Sequence, residues 1–206
     1  VLSEQEIARY RRFRFDRDRQ SYLVSHALLR HALSQYLDIP ASEWRFLEGK
    51  DGKPYLLLSA GMPAIGFNLT HTEGLSACVI SLDRNCGIDA ENITRKSDHQ
   101  AVADRMFAPQ ELAVLNSDPR LSFFHYWTLR EAYVKALGTG LAGSSKDFYF
   151  DISIDDMSAE VSHRDGHQAE AVSWLFRMYQ PTSEHILSVS VESGAALEVR
   201  CRELSF

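Results

Sequence analysis

The order of helical and extended patterns along the chain constrains its fold more than any other feature. Helix-forming sequence near the N-terminus is followed by several short segments rich in apolar and β-branched residues, and the same succession starts again near residue 100. Helices grouped apart from mostly antiparallel strands indicate an α+β protein. We therefore predict two similar α+β halves, 1–100 and 101–206, packed as an intramolecular pseudo-dimer with helices on one face. No sequence repeat between the halves is apparent, so this duplication rests on element order alone.

Local signals support several element boundaries. Ser3 and Glu6 have the spacing of a capping box at a helix start, and Pro109 suits a first helical turn. Gly138 and Gly140 are suited to end the strongest helix. Residues 50–53 predict a tight hairpin turn because they contain Asp-Gly. The predicted helices are 3–15, 17–36, 98–106, 109–116 and 121–137, and the predicted strands are 44–47, 66–69, 75–82, 86–90, 147–154, 174–179, 185–191 and 198–202.

Composition narrows the class of protein. A formal net charge of -6 argues against general nucleic-acid binding. Three cysteines without Cys-x-x-Cys spacing indicate reduced thiols in a cytoplasmic protein rather than a disulfide scaffold or a zinc site. No apolar run reaches the roughly 18 residues that span a bilayer, and no secretory signal opens the chain. The first residue is valine, so we expect a processed or trimmed start.

Two patterns place acidic side chains where they could share a cation. Asp89 and Glu91 alternate on one face of a predicted strand, and paired hard oxygen ligands suit Mg²⁺. Trp127, Glu131 and Lys135 share one face of the strongest helix because they are four residues apart. Each pattern alone also fits a solvated surface pair, so the residues by themselves leave both interpretations open.

Two further patterns suit phosphate. The segment 67–72 places His71 between two hydroxyl residues at a predicted strand end, although local hydrogen bonds could equally satisfy that histidine. Arginine is the preferred planar partner of phosphate. Arg30 is the better pocket candidate because it lies in an otherwise apolar stretch. The remaining arginines near the N-terminus, which also fit a solvated helix face, are Arg9, Arg11, Arg12, Arg14, Arg17 and Arg19.

The order of the motifs is more specific than any one of them. This ordered set resembles the 4'-phosphopantetheinyl transferases, in particular the larger pseudo-dimeric type that activates peptide synthetases such as surfactin synthetase. The resemblance covers about residues 9 to 145, and its last two motifs are the most specific. The motifs are, in order, Lys53-Pro54, Phe67-Asn68-Leu69-Thr70-His71-Thr72, Gly87-Ile88-Asp89-Ala90-Glu91, Phe107-Ala108-Pro109-Gln110-Glu111, and the run from Trp127 to Leu141.

The resemblance implies an Mg²⁺-dependent enzyme that moves the phosphopantetheine arm of coenzyme A onto a serine of an apo acyl or peptidyl carrier protein and releases 3',5'-ADP. It implies that Asp89, Glu91 and Glu131 hold the Mg²⁺ on the coenzyme A pyrophosphate. Lys135 would contact that pyrophosphate. The base that takes the serine proton would be Glu131 or a metal-bound water, and catalysis is expected from Glu131, Lys135 and Asp89.

The resemblance also implies the contacts that bind coenzyme A. His71, with its neighbours, would hold the phosphates, and Arg30 and Lys53 would hold the nucleotide end with its 3'-phosphate, while Arg12 matches less clearly. The expected coenzyme A contacts are Arg12, Arg30, Lys53, Thr70, His71, Thr72 and Lys135. The expected protein is a monomer that binds neither nucleic acid nor membrane.

Three departures from the family pattern stand out. Thr70 and Thr72 replace serines and keep the hydroxyl groups, whereas Arg130 replaces a lysine and changes the donor geometry. Family members also carry a strand before the first helix, so we expect further residues upstream of Val1.

Three alternatives remain at this stage. A metal-dependent phosphoanhydride hydrolase would use the same carboxylates and need no acceptor protein. A non-enzymatic nucleotide or RNA binder would use the arginine-rich N-terminus and bind less tightly as salt rises. A scaffold that only recruits partners would leave the ordered motifs unexplained. The sequence does not specify the carrier protein or whether it serves fatty-acid, polyketide or peptide synthesis.

Overall fold

The fold alternates helices and antiparallel strands in the order expected. The computed structural model describes residues 1–49, 54–58, 61–96, 98–140, 147–164, 172–194 and 197–204. No helix in these ranges is long and apolar enough to cross a membrane. The helices are α1 (Glu4–Tyr10), α2 (Asp16–Leu33), α3 (His99–Met106), α4 (Pro109–Ser117) and α5 (Phe123–Leu137). The strands are β1 (Phe46–Glu48), β2 (Pro54–Leu56), β3 (Ile65–Thr72), β4 (Leu75–Leu82), β5 (Cys86–Asn92), β6 (Phe148–Ser153), β7 (Ser158–His163), β8 (Ser173–Thr182) and β9 (His185–Ser193).

The local signals that were read from the sequence act as expected at three helix ends. Ser3 and Glu6 form the capping box of α1, in which the Ser3 N–H donates to Glu6 Oε2 over 2.7 Å. Pro109 occupies the first turn of α4, where its missing N–H is harmless. Gly138 ends α5 in the left-handed region, with φ +72°.

The predicted and observed strands differ in three places. The strand predicted at 198–202 is wrong, because the described residues 197–204 form no strand. Strands β2 and β7 were not predicted. β2 is only three residues long and β7 carries mostly polar side chains, so neither shows the apolar alternation that identifies a strand. The turn predicted at 50–53 lies outside the described residues.

All of the observed strand pairings are antiparallel, as predicted for an α+β protein of two halves. β1 pairs with β2, β3 pairs with β4, and a larger sheet has the order β5-β9-β8-β7-β6. Helix α2 packs on β3 and β4, and helix α5 packs on β5 and β9. Strand β5 was assigned to the first half from the sequence, yet it pairs with β9. The C-terminal sheet therefore recruits a strand that lies before the change predicted near residue 100.

Strands β3 and β5 join the two halves through side chains. Three polar side chains of β3 each accept a hydrogen bond from a backbone N–H of β5, at 3.0 to 3.3 Å. Alternate residues of β3 thus satisfy alternate backbone donors at the edge of β5, so that these N–H groups are not left unpaired. The pairs are Asn68 with Ile88, Thr70 with Ala90, and Thr72 with Asn92.

Each half contains a buried arginine–glutamate pair. In the first half, Arg30 of α2 is 1% exposed, and its Nη2 lies 2.6 Å from Oε2 of Glu6 in α1. In the second half, Arg130 of α5 is 2% exposed and pairs with Glu111 of α4. Both glutamates also accept a backbone N–H at the start of their own short helix. Helices α1 and α4 therefore correspond, as do α2 and α5.

The correspondence extends to the following strand and leaves a trace in the sequence. The guanidinium of Arg30 lies 5.0 Å from the ring centroid of Phe46 in β1, and that of Arg130 lies 4.8 Å from the ring centroid of Phe148 in β6. The sequence Leu-Arg-x-Ala occurs at both arginines, as Leu29-Arg30-His31-Ala32 and Leu129-Arg130-Glu131-Ala132. The repeat was not recognised in the sequence because the two helices have almost no identical residues outside these three buried positions.

Candidate functional site

Helix α5 lies unusually close to strand β5 at Gly87. A Cβ atom at Gly87 would stand 2.0 Å from the Ala132 carbonyl oxygen, so only glycine allows this approach. Because side chains alternate along a strand, the residues that follow Gly87 on the same face, Asp89 and Glu91, also point toward α5. The glycine of this motif thus sets the distance between the strand carboxylates and the helix.

The predicted face of α5 meets the predicted face of β5. Lys135 Nζ lies 2.6 Å from Asp89 Oδ1 and 3.2 Å from the Ile88 carbonyl oxygen. Trp127 donates its indole N–H to Glu91 Oε1 over 3.2 Å. Glu131 lies between these two contacts on the same helical face. The structure therefore brings Asp89, Glu91, Glu131 and Lys135 together, and the lysine binds a carboxylate of the strand.

Burial raises the pKa of all three carboxylates, and neighbouring negative charge adds to the shift at Glu91 and Glu131. Burial raises the pKa of Asp89 above its usual range, while the Lys135 ammonium opposes this shift. Burial also raises the pKa of Glu91, against the opposing charge of Arg95. For Glu131, burial and the neighbouring Asp89 charge raise the pKa to about 7. A cluster with these shifts is stabilised by any additional positive charge.

The donor set suits a divalent cation of the Mg²⁺ type. Among the residues that the structure describes, no three His, Cys, Asp or Glu side chains are arranged to enclose a metal ion as they stand. However, Asp89 Oδ2 is buried and has no hydrogen-bond partner, although its carboxylate could accept several bonds. Carboxylate oxygens are the ligands that Mg²⁺ prefers. Asp89, Glu91 and Glu131 are therefore the residues that could hold such an ion.

A cavity of about 690 Å³ opens beside the acidic cluster. Thr70, His71 and Thr72 line it from the end of β3, and Lys135 lines it from α5. Thr70 is buried, and its hydroxyl donates to Asp89 Oδ1 over 3.3 Å, so the β3 motif and the acidic cluster share one wall. The structure thus places hydroxyl groups, an imidazole and an ammonium around a single space large enough for a small ligand.

Arg30 and Arg12, which were also predicted to bind coenzyme A, are not among the residues that line this cavity. Arg30 is enclosed in the first half, where it pairs with Glu6 and donates to the carbonyl oxygens of Ala41 and Trp44. Its apolar neighbourhood marks a buried ion pair, which the sequence alone does not distinguish from a ligand pocket. Arg12 is exposed near the N-terminus. Lys53 lies outside the described residues.

Two basic residues of the cavity were not identified from the sequence. Arg95 and Lys96 line the space just after the Asp-x-Glu strand, and Arg95 Nη1 lies 3.3 Å from Glu91 Oε2. The spacing of Glu91 and Arg95, four residues apart, was a usable signal. That spacing indicates an ion pair in helices, whereas Glu91 lies in β5 and Arg95 follows that strand.

The raised carboxylate pKa values predict that the metal-free protein loses stability as pH rises. A Glu131 pKa of about 7 in the folded protein, against an ordinary value of 4.5, means that folding binds a proton between these values. The stabilisation is complete below pH 4.5 and is lost as pH rises through 7, by an amount on the order of 2 kcal/mol. Urea unfolding in chelator at pH 5 and pH 8 should show this fall, and Glu131→Gln should reduce it. If the free energy of unfolding falls by the same amount between pH 5 and pH 8 in wild type and in Glu131→Gln, the raised pKa of Glu131 is contradicted.

Comparison with known proteins gives one consistent result. Residues 85–190 match the profile of the 4'-phosphopantetheinyl transferase superfamily, and residues 1–81 match that of the 4'-phosphopantetheinyl transferase N-terminal region. The division between the two profiles falls between β4 and β5, where the sheets also divide.

Individual relatives carry the same description. The chain is 37% identical to the 4'-phosphopantetheinyl transferase HetI of Nostoc sp. over 146 residues, which are 69% of this chain and 62% of HetI. It is 30% identical to the 4'-phosphopantetheinyl transferase psf-1 of Bacillus pumilus over 201 residues, which are 96% of this chain and 82% of psf-1. A 4'-phosphopantetheinyl transferase of Bacillus subtilis is 26% identical over 193 residues, which are 92% of this chain and 81% of that protein.

Two relatives are matched over less than two thirds of their own length. The chain spans 62% of the length of the Nostoc protein and 59% of a Synechocystis relative that is 32% identical. The superfamily profile nevertheless covers the acidic cluster, helix α5 and the sheet on which they lie. The chain therefore belongs to the 4'-phosphopantetheinyl transferase superfamily.

Proposed function

We propose that this protein transfers the 4'-phosphopantetheine group from coenzyme A to a serine hydroxyl of an apo carrier protein and releases 3',5'-ADP. The observation that carries the proposal is the meeting of Asp89, Glu91 and Lys135 at one wall of the cavity that His71 lines, with Glu131 beside them on α5. A pyrophosphate needs positive charge and hydrogen-bond donors, whereas an attacking hydroxyl needs a base. This wall supplies both kinds of group.

Binding and orientation of the pyrophosphate are the first task of these residues. The Lys135 side chain is 29% exposed and lines the cavity, so its ammonium can contact a phosphate oxygen while it remains near Asp89. The imidazole of His71 and the hydroxyl of Thr72 provide further contacts from β3. Phosphoryl transfer depends more on positioning and charge neutralisation than on covalent help from the protein.

The chemical step needs one base. The serine oxygen forms a bond to the β-phosphorus while the bond from that phosphorus to the bridging oxygen breaks, and this oxygen leaves with 3',5'-ADP. The serine proton passes to the Glu131 carboxylate. In the metal-free protein, burial and the Asp89 charge raise the pKa of Glu131 to about 7, so this carboxylate has a tendency to take up a proton that supports its role as the base. Lys135 stabilises the negative charge that develops on the leaving phosphate.

Mg²⁺ is the cofactor that best completes this acidic wall. When it is bound by Asp89, Glu91 and Glu131, it supplies Lewis-acid neutralisation of the pyrophosphate oxygens. The unpartnered Asp89 Oδ2 supports this assignment. Coenzyme A is then a co-substrate, consumed in each turnover.

Replacing Glu131 by glutamine should lower turnover more than coenzyme A affinity. The amide keeps the shape of the side chain but cannot take the serine proton, so we expect kcat to fall roughly 100-fold. The dissociation constant for coenzyme A, measured by calorimetry, should change only a few-fold. If kcat and the affinity for coenzyme A fall by the same factor, Glu131 is not the base. Exposed Glu160 of β7 gives a matched Glu→Gln control.

The partner and setting of the reaction form a further part of the proposal. The acceptor is an acyl or peptidyl carrier protein of fatty-acid, polyketide or nonribosomal peptide synthesis, and neither nucleic acid nor membrane takes part. Both halves contribute to one cavity, through β3 and β5, which supports a monomer as the working unit. Cys78 and Cys201 form no disulfide within the described residues, which supports a reducing, cytoplasmic compartment.

One incubation tests the proposed function directly. The protein is mixed with coenzyme A, Mg²⁺ and several apo carrier proteins, and the products are read by mass spectrometry. Transfer adds about 340 Da to a carrier serine, the mass of the arm. Coenzyme A that is consumed at the same rate without any carrier protein would instead indicate a phosphoanhydride hydrolase. Coenzyme A that stays intact with every carrier would overturn the proposal.

A further inference from the structure

A buried histidine of the C-terminal sheet contacts the turn that connects β3 and β4. His185 opens β9, is 4% exposed, and lies opposite Asn92 at the end of β5. Its Nε2 stands 2.7 Å from the carbonyl oxygen of Glu73, which belongs to that turn. The contact crosses from one half of the molecule to the other. It has no part in the transfer mechanism described above.

The surrounding hydrogen bonds assign the state of the ring. The Glu73 carbonyl oxygen can only accept, so His185 Nε2 carries the proton and donates it. On the other side, Nδ1 lies 2.7 Å from the Thr182 hydroxyl, which also accepts the Glu184 N–H over 3.1 Å. The hydroxyl hydrogen is thereby available to Nδ1. Thr182 therefore orients the ring so that Nε2 faces the turn.

The turn is seated directly on the imidazole. Gly74 has φ +83°, and a Cβ atom there would stand 3.3 Å from Cε1 of His185. The Glu73 carbonyl oxygen also accepts a longer bond of 3.4 Å from Asn92 Nδ2. The short contact from His185 is thus the stronger of the two hydrogen bonds that hold this carbonyl.

We propose that His185 is a positioning residue, which fixes the β3–β4 turn on the C-terminal sheet and so places His71 and Thr72 for coenzyme A phosphates. The inference rests on the proposed function. β3 and β4 form a sheet of only two strands, which pairs with no other strand in the described residues. His71 and Thr72 immediately precede Glu73, and all three line the cavity. A displacement of the Glu73 carbonyl therefore moves the phosphate contacts.

Two amide substitutions separate the two contacts of the ring. In His185→Gln, the side-chain NH₂ can occupy the place of Nε2 and donate to Glu73. In His185→Asn, the shorter amide reaches only the place of Nδ1, beside Thr182. Both variants remove the ring and keep a polar side chain. They therefore differ chiefly in the contact that holds the turn.

The test measures coenzyme A binding by calorimetry, the kcat of transfer, and the thermal midpoint of each full-length protein. We expect His185→Asn to raise the dissociation constant about 10-fold and His185→Gln to stay within about threefold of wild type, because one buried hydrogen bond is at stake. The kcat at saturating coenzyme A should change less than the affinity in both variants. If His185→Asn does not fold, Thr182→Val serves instead and should weaken binding, because it removes the hydroxyl that orients the ring.

Each outcome decides one question. If both amide variants bind coenzyme A as wild type does, or if both lose midpoint and affinity equally, His185 has a structural role only and the inference is overturned. If Thr182→Val is used instead and binds coenzyme A as tightly as wild type does, the inference is likewise overturned. A wild-type protein that does not bind coenzyme A overturns the proposed function itself, whereas wild-type transfer without any difference between the amide variants overturns only the role of His185.

Discussion

Replacing Asp89 by alanine is expected to abolish phosphopantetheine transfer while the protein stays folded. Asp89 is 7% exposed, contacts Lys135 and Thr70, and keeps one oxygen without a partner. Its loss removes a proposed metal ligand and the carboxylate that holds the Lys135 ammonium. Removal of one preorganised group that stabilises charge in the transition state costs about 10²–10³-fold in turnover, and the metal contribution adds to this.

The stability of the Asp89→Ala protein distinguishes a lost site from a lost fold. Burial disfavours the charged form of Asp89, so its removal relieves a desolvation penalty in the metal-free protein. We therefore expect a thermal midpoint in chelator that is no lower than that of wild type at pH 8. In wild type, added Mg²⁺ should raise the midpoint, and in Asp89→Ala this rise should vanish. Full transfer activity of Asp89→Ala at ordinary Mg²⁺ concentrations would refute the metal assignment. Glu160→Ala, which removes an exposed carboxylate, is the control and should behave as wild type does.

The acidic site was predictable because its geometry is local. Alternation along β5 and a four-residue period along α5 are enough to place Asp89 with Glu91, and Glu131 with Lys135, on single faces. The meeting of these two faces followed only from the resemblance. The close approach at Gly87 that produces it depends on tertiary packing, which the spacing of residues does not contain.

The buried arginines mark the limit of reasoning from the sequence. An arginine in an apolar stretch can line a ligand pocket or form an internal ion pair, and both environments have the same local pattern. The partner decides between them, and the partners are distant in the chain: Glu6 for Arg30 and Glu111 for Arg130. The contact between His185 and Glu73 was hidden for the same reason.

The Arg130–Glu111 pair should be the most sensitive point of the fold, and Arg130→Met tests it. Glu111 is 1% exposed and accepts backbone N–H groups from Ala108 and Phe150 in addition to the guanidinium. Removing the arginine leaves a buried carboxylate without its countercharge, which typically costs about 3–5 kcal/mol. We expect urea unfolding of Arg130→Met to show a loss of this size. Exposed Arg120, which pairs with Asp118 and Asp155, supplies an Arg→Met control whose unfolding midpoint should hardly move.

A second substitution shows whether the loss comes from the uncompensated charge or from the missing guanidinium contacts. In Arg130→Met with Glu111→Gln, the neutral amide can still accept from Phe150 N–H, and no charge remains buried. If the charge dominates, the double variant recovers most of the stability that Arg130→Met lost, and the two substitutions are strongly non-additive. If the contacts dominate, the double variant is at least as unstable as Arg130→Met. Recovery is the expected result, because desolvation of a lone buried charge outweighs the loss of one neutral hydrogen bond. The equivalent pair, Arg30 and Glu6, should respond less, since His26 Nδ1 also contacts Glu6 Oε1 over 2.8 Å and remains as a second hydrogen-bond partner.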